Sequence, residues 1–280
     1  MRPLKSYWEG SERNDHEGAA LPTIDVNGTT LSYDDTGGPG PAVVLSHSLF
    51  FDRGMFAEQV AAFGHRYRVV TYDHRGQGAS GRSAHVDMDT LGEDAAALIV
   101  ALDLGPCHFV GNSMGGFVAL RLAARHPALL RSASVLSSSA DEEGQAENFV
   151  ALLEYARSSG IPVAVDALLY IMFGDTTLAS RVAVRERWRR AFAALDESIF
   201  VAAEGVVQRK GVLGELVSCS VPMLVLSGAE DHAYGAELSQ RIADTAANAV
   251  HVNVRRAGHS LAVEHPERVN ALLAEHFAAT

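Results

Sequence analysis

The chain predicts an α/β fold, a mostly parallel sheet with helices on both faces. Three observations carry this. Short apolar runs of strand type alternate with segments of helical period along most of the length. One junction between the two kinds reads Gly111-Asn112-Ser113-Met114-Gly115, the Gly-x-Ser-x-Gly pattern of a serine raised on a sharp strand-to-helix turn. Asp231 and His259 each follow a later apolar run, just past a strand end, where ligands sit in α/β sheets.

The elements follow in order. Residues 1–20 are polar, charged and glycine-containing, and are expected to form a mobile tail. Thr23-Ile24-Asp25-Val26 and Thr30-Leu31-Ser32-Tyr33 flank Asn27-Gly28, a strong hairpin signal, and should make an antiparallel edge. Pro41-Ala42-Val43-Val44-Leu45-Ser46 and Val69-Val70-Thr71-Tyr72 read as buried strands. Thr90-x-x-Glu93 resembles a capping box for a helix whose inner face is Leu91, Ala95, Leu98 and Leu102. Cys107-His108-Phe109-Val110 is the strand before the serine turn. Phe117, Leu120 and Leu122 among alanines mark the helix after it, which stops near His126-Pro127. Val135-Leu136 ends the first half of the sheet.

Residues 139–216 break this rhythm. Phe149, Leu152, Leu153 and Ala156 recur at helical spacing, as do Val165, Leu168, Leu169 and Met172, then Val184, Trp188, Ala191 and Leu195. Strand patterns are absent. The reading is a helical insertion at 139–216 in a core made of 21–138 and 217–280. Met223 to Gly228 and Val250 to Val254 resume the strands. A last helix opens at Pro266, with Val269, Leu272, Leu273 and Phe277 inward.

The serine turn points to nucleophilic chemistry. The glycines let a strand reverse into a helix within a few residues, and the helix N-terminus is aimed at the hydroxyl. A lone hydroxyl is a weak nucleophile and needs a base oriented by an acid. Ser113, Asp231 and His259 supply nucleophile, acid and base, each after a strand, in that chain order. Glu230, beside Asp231, offers a second carboxylate. A negative oxygen would need two backbone N–H groups, one from the loop after strand 41–46 and one from the residue after the nucleophile. These are Leu49 and Met114. His47 reads as a brace for that loop. Phe50, Met172, Phe173 and Trp188 are the candidates for lining a substrate pocket. Arg181, Arg185, Arg187, Arg189 and Arg190 read as a solvated helix face, and as the anion receiver should the substrate carry a carboxylate.

Composition narrows the classes. Lys plus Arg number 23 against 34 Asp plus Glu, a net −11, which repels nucleic-acid phosphate. A hydrophobic content of 48% supports a substantial core. No apolar run approaches the ~18 residues of a membrane span, and no secretory h-region opens the chain. Cys107 and Cys219 read as reduced thiols of a cytoplasmic protein. No metal-ligand spacing and no phosphate loop is found, so no cofactor is expected.

From about Leu21 to the end, the chain resembles the α/β-hydrolase superfamily. Besides the serine turn, Tyr72-Asp73-His74-Arg75-Gly76-Gln77-Gly78-Ala79-Ser80 is similar to the Asp-x-Arg-Gly-x-Gly-x-Ser turn of many members. Leu45-Ser46-His47-Ser48-Leu49 and Gly111 to Gly116 resemble oxoadipate enol-lactonases and related small esterases. The chain departs from those lactonases at His47 and Phe50, where they usually carry Asn and Gly. A serine at the turn, rather than an aspartate, separates it from haloalkane dehalogenases and epoxide hydrolases. The resemblance implies an eight-stranded sheet and a helical cap at 139–216. It also implies cofactor-independent hydrolysis of a small ester or lactone through an acyl-enzyme, by a monomer or homodimer. The same scaffold and triad serve carbon–carbon hydrolases, acyltransferases and biosynthetic cyclases. A hydrolase-like ligand receptor is a further alternative.

Overall fold

The structure is a computed structural model and describes residues 21–280; the tail expected at 1–20 lies outside the described residues. Eight strands form one sheet: β1 (Thr23–Val26), β2 (Thr29–Asp35), β3 (Ala42–Ser46), β4 (Arg68–Tyr72), β5 (Cys107–Asn112), β6 (Leu130–Leu136), β7 (Met223–Gly228) and β8 (Ala249–Val254). Their order is β1-β2-β4-β3-β5-β6-β7-β8. The β1–β2 and β2–β4 pairs are antiparallel and all others parallel. Asn27 and Gly28 take φ of 45° and 71° at the first hairpin, as its tight turn requires. β3, β5 and β7 are buried along their whole length, as parallel strands covered on both faces should be.

The helices are α1 (Ala57–Phe63), α2 (Met88–Ala101), α3 (Met114–Arg125), α4 (Ala146–Ser159), α5 (Val165–Met172), α6 (Asp175–Ser180), α7 (Val182–Ala193), α8 (Ile199–Val207), α9 (Ala236–Thr245), α10 (Leu261–Glu264) and α11 (Pro266–Ala279). One expected boundary moves. The cap of α2 is Asp87, whose carboxylate accepts from Thr90 N (2.8 Å) and Thr90 Oγ1 (2.7 Å). Thr90 therefore sits one turn inside the helix, and Glu93 turns to His126 instead (2.9 Å). Both Asp87 and Thr90 are short acceptors suited to a cap, and the carboxylate is the stronger acceptor for the exposed N–H groups.

Register sets the site. Ser46 of β3 pairs Tyr72 of β4 and Gly111 of β5, Asn112 pairs Leu136, and Leu136 pairs Leu226. The C-terminal ends of the central strands are thus level, and their loops open on one edge. Between β6 and β7 every regular element is helical. Ion pairs Arg157–Glu204 (2.5 Å) and Arg189–Asp166 (2.5 Å) tie α4 to α8 and α7 to α5. Among the described residues no helix is long and apolar enough to cross a membrane.

Candidate active site

Ser113 stands at the junction of β5 and α3 with φ 53° and ψ −111°, a conformation that costs a non-glycine residue about 1–3 kcal/mol. Its N–H donates to Leu136 O (2.8 Å), and its carbonyl accepts from Ser138 Oγ (2.8 Å), so the turn is held from both sides. Glycine is required at Gly111 and Gly115 by close approach. A Cβ at Gly111 would lie 2.0 Å from Gly115 O, and one at Gly115 would lie 2.0 Å from Ser46 O.

Two later loops converge here. His259 Nδ1 lies 3.1 and 3.0 Å from the two oxygens of Asp231, with both side chains buried. Asp231 Oδ1 also accepts from Ala233 N (2.8 Å) and Tyr234 N (3.0 Å). Burial alone would raise the Asp231 carboxyl. The His259 ring and these N–H groups outweigh it and hold the group below the usual carboxylate range. Asn112, next to Ser113, donates Nδ2–H to His259 O (3.0 Å). The Tyr234 ring bridges α3 and the His259 loop, 5.9 Å from Phe117 and 5.4 Å from His259. Glu230 takes no part in this. Its oxygens accept from Thr176 Oγ1 (2.6 Å) and Thr176 N (2.7 Å), and those bonds lower its pKa.

The Leu49 and Met114 backbones are buried at the ends of β3 and at the start of α3. Among the described residues neither N–H donates to a protein acceptor, and Met114 belongs to the first turn, whose N–H groups have no intrahelical partner. His47 braces this loop. Its Nδ1–H donates to Ser48 O (2.8 Å) and its Nε2 accepts from His74 N–H (3.0 Å), so neither nitrogen is left to serve as a base. Burial lowers its pKa despite the nearby Asp73 carboxylate, which keeps the ring neutral. Asp73 in turn closes the 73–80 turn through Ala79 N (2.8 Å) and an ion pair with Arg53. These contacts tie the turn to the loop that carries Arg53.

Phe50 takes φ 71°, the left-handed region that glycine adopts without strain. Rings from the insertion hold it there: Phe149 at 6.4 Å and Phe192 at 6.3 Å. Phe51 packs on Trp188 (4.3 Å), Phe192 (5.3 Å) and Phe173 (6.3 Å). Met172, Phe173 and Trp188 are 2%, 0% and 5% exposed. The structure therefore places Phe173 and Trp188 in an aromatic clamp between the insertion and Phe51, and buries Met172. Replacing Trp188 with alanine is expected to cost about 3–5 kcal/mol of stability, read from the denaturant midpoint, with chain-length preference little changed.

A cavity lies against Tyr234, whose ring is 5.4 Å from that of His259, and is lined by Phe149, Leu152, Ile171, Glu143 and Ala233 among others. Sequence periodicity assigned Phe149 and Leu152 to a packing stripe, because period shows which face is buried and not whether a space lies behind it. Glu264 was also missed. Its Oε1 accepts from Gly258 N (3.1 Å) and Ser260 N (3.1 Å), the two N–H groups flanking His259, and Oε2 accepts from Gly174 N (3.0 Å). Burial raises its pKa, against the pull of Thr177 and those N–H groups. An acid five residues past a histidine, closing a short helix, is the one signal for it. Four of the five arginines named in the insertion are engaged, and Arg190 is exposed. Arg181 Nη1 donates to Val263 O (3.1 Å) and Glu264 O (2.5 Å), Arg185 to Leu178 O (2.8 Å), and Arg189 pairs with Asp166. Arg187 lies over the Trp188 ring (5.0 Å).

Comparison with known proteins agrees with this architecture. A sequence profile described as the alpha/beta hydrolase family matches residues 43–272. The 3-oxoadipate enol-lactonase 1 of Acinetobacter baylyi is 33% identical over 208 residues, covering 73% of this chain and 77% of that protein. The crystal structure of the enol-lactonase from Burkholderia xenovorans LB400 superposes with a TM-score of 0.86 at 29% identity, covering 92% of this chain and 100% of that one. A thermophilic esterase from Thermogutta terrifontis gives a TM-score of 0.85 at 27% identity, over 93% of this chain and 99% of that one. With its eight-stranded sheet, its serine turn and a profile match across most of its length, this chain belongs to the alpha/beta hydrolase family.

Proposed function

We propose that the protein is a cofactor-independent serine hydrolase that cleaves a small carboxylic ester or lactone. The observation that carries this is the Asp231–His259 pair, buried and tied through Asn112 to a strained serine turn. Ser113 Oγ attacks the carbonyl carbon and His259 Nε2 takes its proton. The carbonyl oxygen becomes negative and is received by the N–H groups of Leu49 and Met114. His259 returns the proton to the leaving oxygen, which departs as an alcohol from an ester or stays as the acyl chain's own hydroxyl from a lactone, and an acyl-enzyme remains. Water, deprotonated by His259, then attacks the acyl carbon, and His259 returns that proton to Ser113 Oγ as the acyl–Oγ bond breaks and the acid leaves. Asp231 fixes the tautomer with Nδ1–H toward itself and stabilises the imidazolium. The helical segment 139–216 is the cap, and its clamp on Phe50 and Phe51 sets the shape of the oxyanion loop.

Glu264 acts as a positioning residue for His259. Glu264→Ala leaves the Gly258 and Ser260 N–H groups without their acceptor, so the histidine loop relaxes. A shift of about 1 Å at a catalytic group can cost on the order of 10² in rate. The expected result is a kcat fall of that size with KM nearly unchanged, and recovery of most of it in Glu264→Gln, which keeps one acceptor oxygen.

The test of function is turnover of 4-nitrophenyl esters and simple lactones, with products identified in the presence of alcohols. Release of free acid with little transfer supports hydrolysis. Dominant ester exchange would assign the same triad to acyl transfer. No turnover of either substrate class would overturn the reading.

A further inference from the structure

The cavity beside His259 has a volume of about 100 Å³, and Tyr234 is the wall it shares with the imidazole, 5.4 Å from the His259 ring. Its inner side is apolar, made by Phe149, Leu152 and Ile171. Its polar end is the Glu143 carboxylate with the side-chain amides of Gln145 and Asn148. A wider groove of about 520 Å³ lies outside it and is bordered by the same Glu143, Gln145, Ala233 and Tyr234.

The charges around this path have one sign to spare. Glu143 accepts from Arg209 (2.6 Å), from the Tyr234 hydroxyl (2.9 Å) and from Gln145 N (2.9 Å). Burial would raise it, but the Arg209 guanidinium with the Gln145 N–H and Tyr234 hydroxyl outweighs burial and holds its carboxyl below the usual range. The groove residues Asp141, Glu142, Glu143 and Glu237 face Arg209 and Arg241, four acids against two arginines, or 2 − 4 = −2. Both arginines are already bound to carboxylates, Arg209 to Glu143 and Arg241 to Asp141 (2.8 Å). Lys210 lies outside the lining, 3.7 Å from Glu142. The His232 imidazole on the cavity wall is turned to Tyr170 O (2.6 Å) and to the Asp175 carboxylate (3.4 Å). Among the described residues no lining cation is left to receive an anion. The chain as a whole carries −11.

We infer that this cavity takes the uncharged acyl chain or ring substituent of the substrate, and that Glu143 makes the enzyme reject esters and lactones whose substituent ends in a carboxylate. This rests on the proposed ester or lactone chemistry and narrows its substrate class. A carboxylate drawn into the cavity loses its water and meets a like charge, and like-charge juxtaposition of this kind costs enough to lower specificity by about 100-fold. An aliphatic chain of the same length gains the apolar wall instead.

The experiment compares 4-nitrophenyl hexanoate with mono-4-nitrophenyl adipate, the same six-carbon acyl chain with and without a terminal carboxylate. In the wild-type protein, kcat/KM for hexanoate is expected to exceed that for adipate by about 100-fold at low salt. The ratio should narrow as salt screens the groove. Glu143→Gln leaves Arg209 uncompensated beside the cavity, so the ratio should fall at least about 10-fold through faster adipate turnover. Because that change breaks a buried pair, the exposed double variant Glu142→Lys, Glu237→Lys provides a second reading. Its ratio should narrow by about 3-fold through the same substrate. Equal turnover of the two esters by the wild-type protein would overturn the inference. So would a ratio that salt and both variants leave unchanged, since chain polarity alone would then explain it. Turnover of neither ester would instead overturn the esterase reading on which the inference stands.

Discussion

Ser113→Ala is expected to lower kcat by about 10⁶-fold while the fold stays intact. The size follows from the division of labour. In the proposed mechanism no acyl-enzyme forms without Oγ, and neither His259 nor Asp231 can substitute, since both act on that oxygen's proton. What survives is the backbone pair of Leu49 and Met114 with the binding surface, worth a residual 10³–10⁴ over water. Alanine at 113 keeps the N–H to Leu136 O and the carbonyl that accepts from Ser138, so the turn has no reason to move. Stopped assays on a 4-nitrophenyl ester, with thermal unfolding as the control for folding, check both halves of this result.

Asp231→Asn is expected to lower kcat by about 10⁴-fold. The asparagine amide can present N–H toward His259 Nδ1 and stabilise the wrong tautomer, with Nε2 protonated and unable to accept the serine proton. The loop keeps its shape, because the remaining amide oxygen can still accept from Ala233 N and Tyr234 N. Glu230→Gln is expected to change kcat less than about threefold, since Glu230 is held by Thr176 and not by His259. If the glutamine variant were the crippled one, the acid would be Glu230. The kcat pair decides between adjacent carboxylates that sequence alone leaves open.

Much of this was readable in the residues because it depends on local pattern. The hairpin at Asn27-Gly28, the buried strands and the inward face of α11 follow from period and turn chemistry. The order Ser113, Asp231, His259 could be read because each follows a strand end, and register then brings strand ends level. Leu49 and Met114 could be nominated because the role proposed for them belongs to the backbone. What stayed hidden depends on contacts far apart in the chain. The helical stripes of 139–216 show that Trp188 and Phe173 are buried, but not that they bury against Phe51, over a hundred residues earlier. The aromatic at position 50 reads as a pocket residue. In the fold it is a strained backbone position kept in place by Phe149 and Phe192. Glu264 works through two backbone N–H groups, and no side-chain pattern announces that. Asp87 and Thr90 are both good caps one turn apart, so the choice falls to the carboxylate's strength as an acceptor.

The central claim is that Ser113 is the nucleophile, and covalent trapping tests it most directly. An aryl phosphonate should react once per chain, with loss of activity in step with labelling, and peptide mapping should place the adduct on Ser113. The competing hydroxyls are poorly placed. Ser46 Oγ is engaged with Tyr72 OH (3.1 Å) and His74 Nε2 (3.0 Å), and Ser46, Ser48 and Ser260 are fully buried. Asp231→Asn should slow the labelling without moving it. A stoichiometric adduct on Ser46, Ser48 or Ser260, or full activity in a chain labelled at Ser113, would contradict the account.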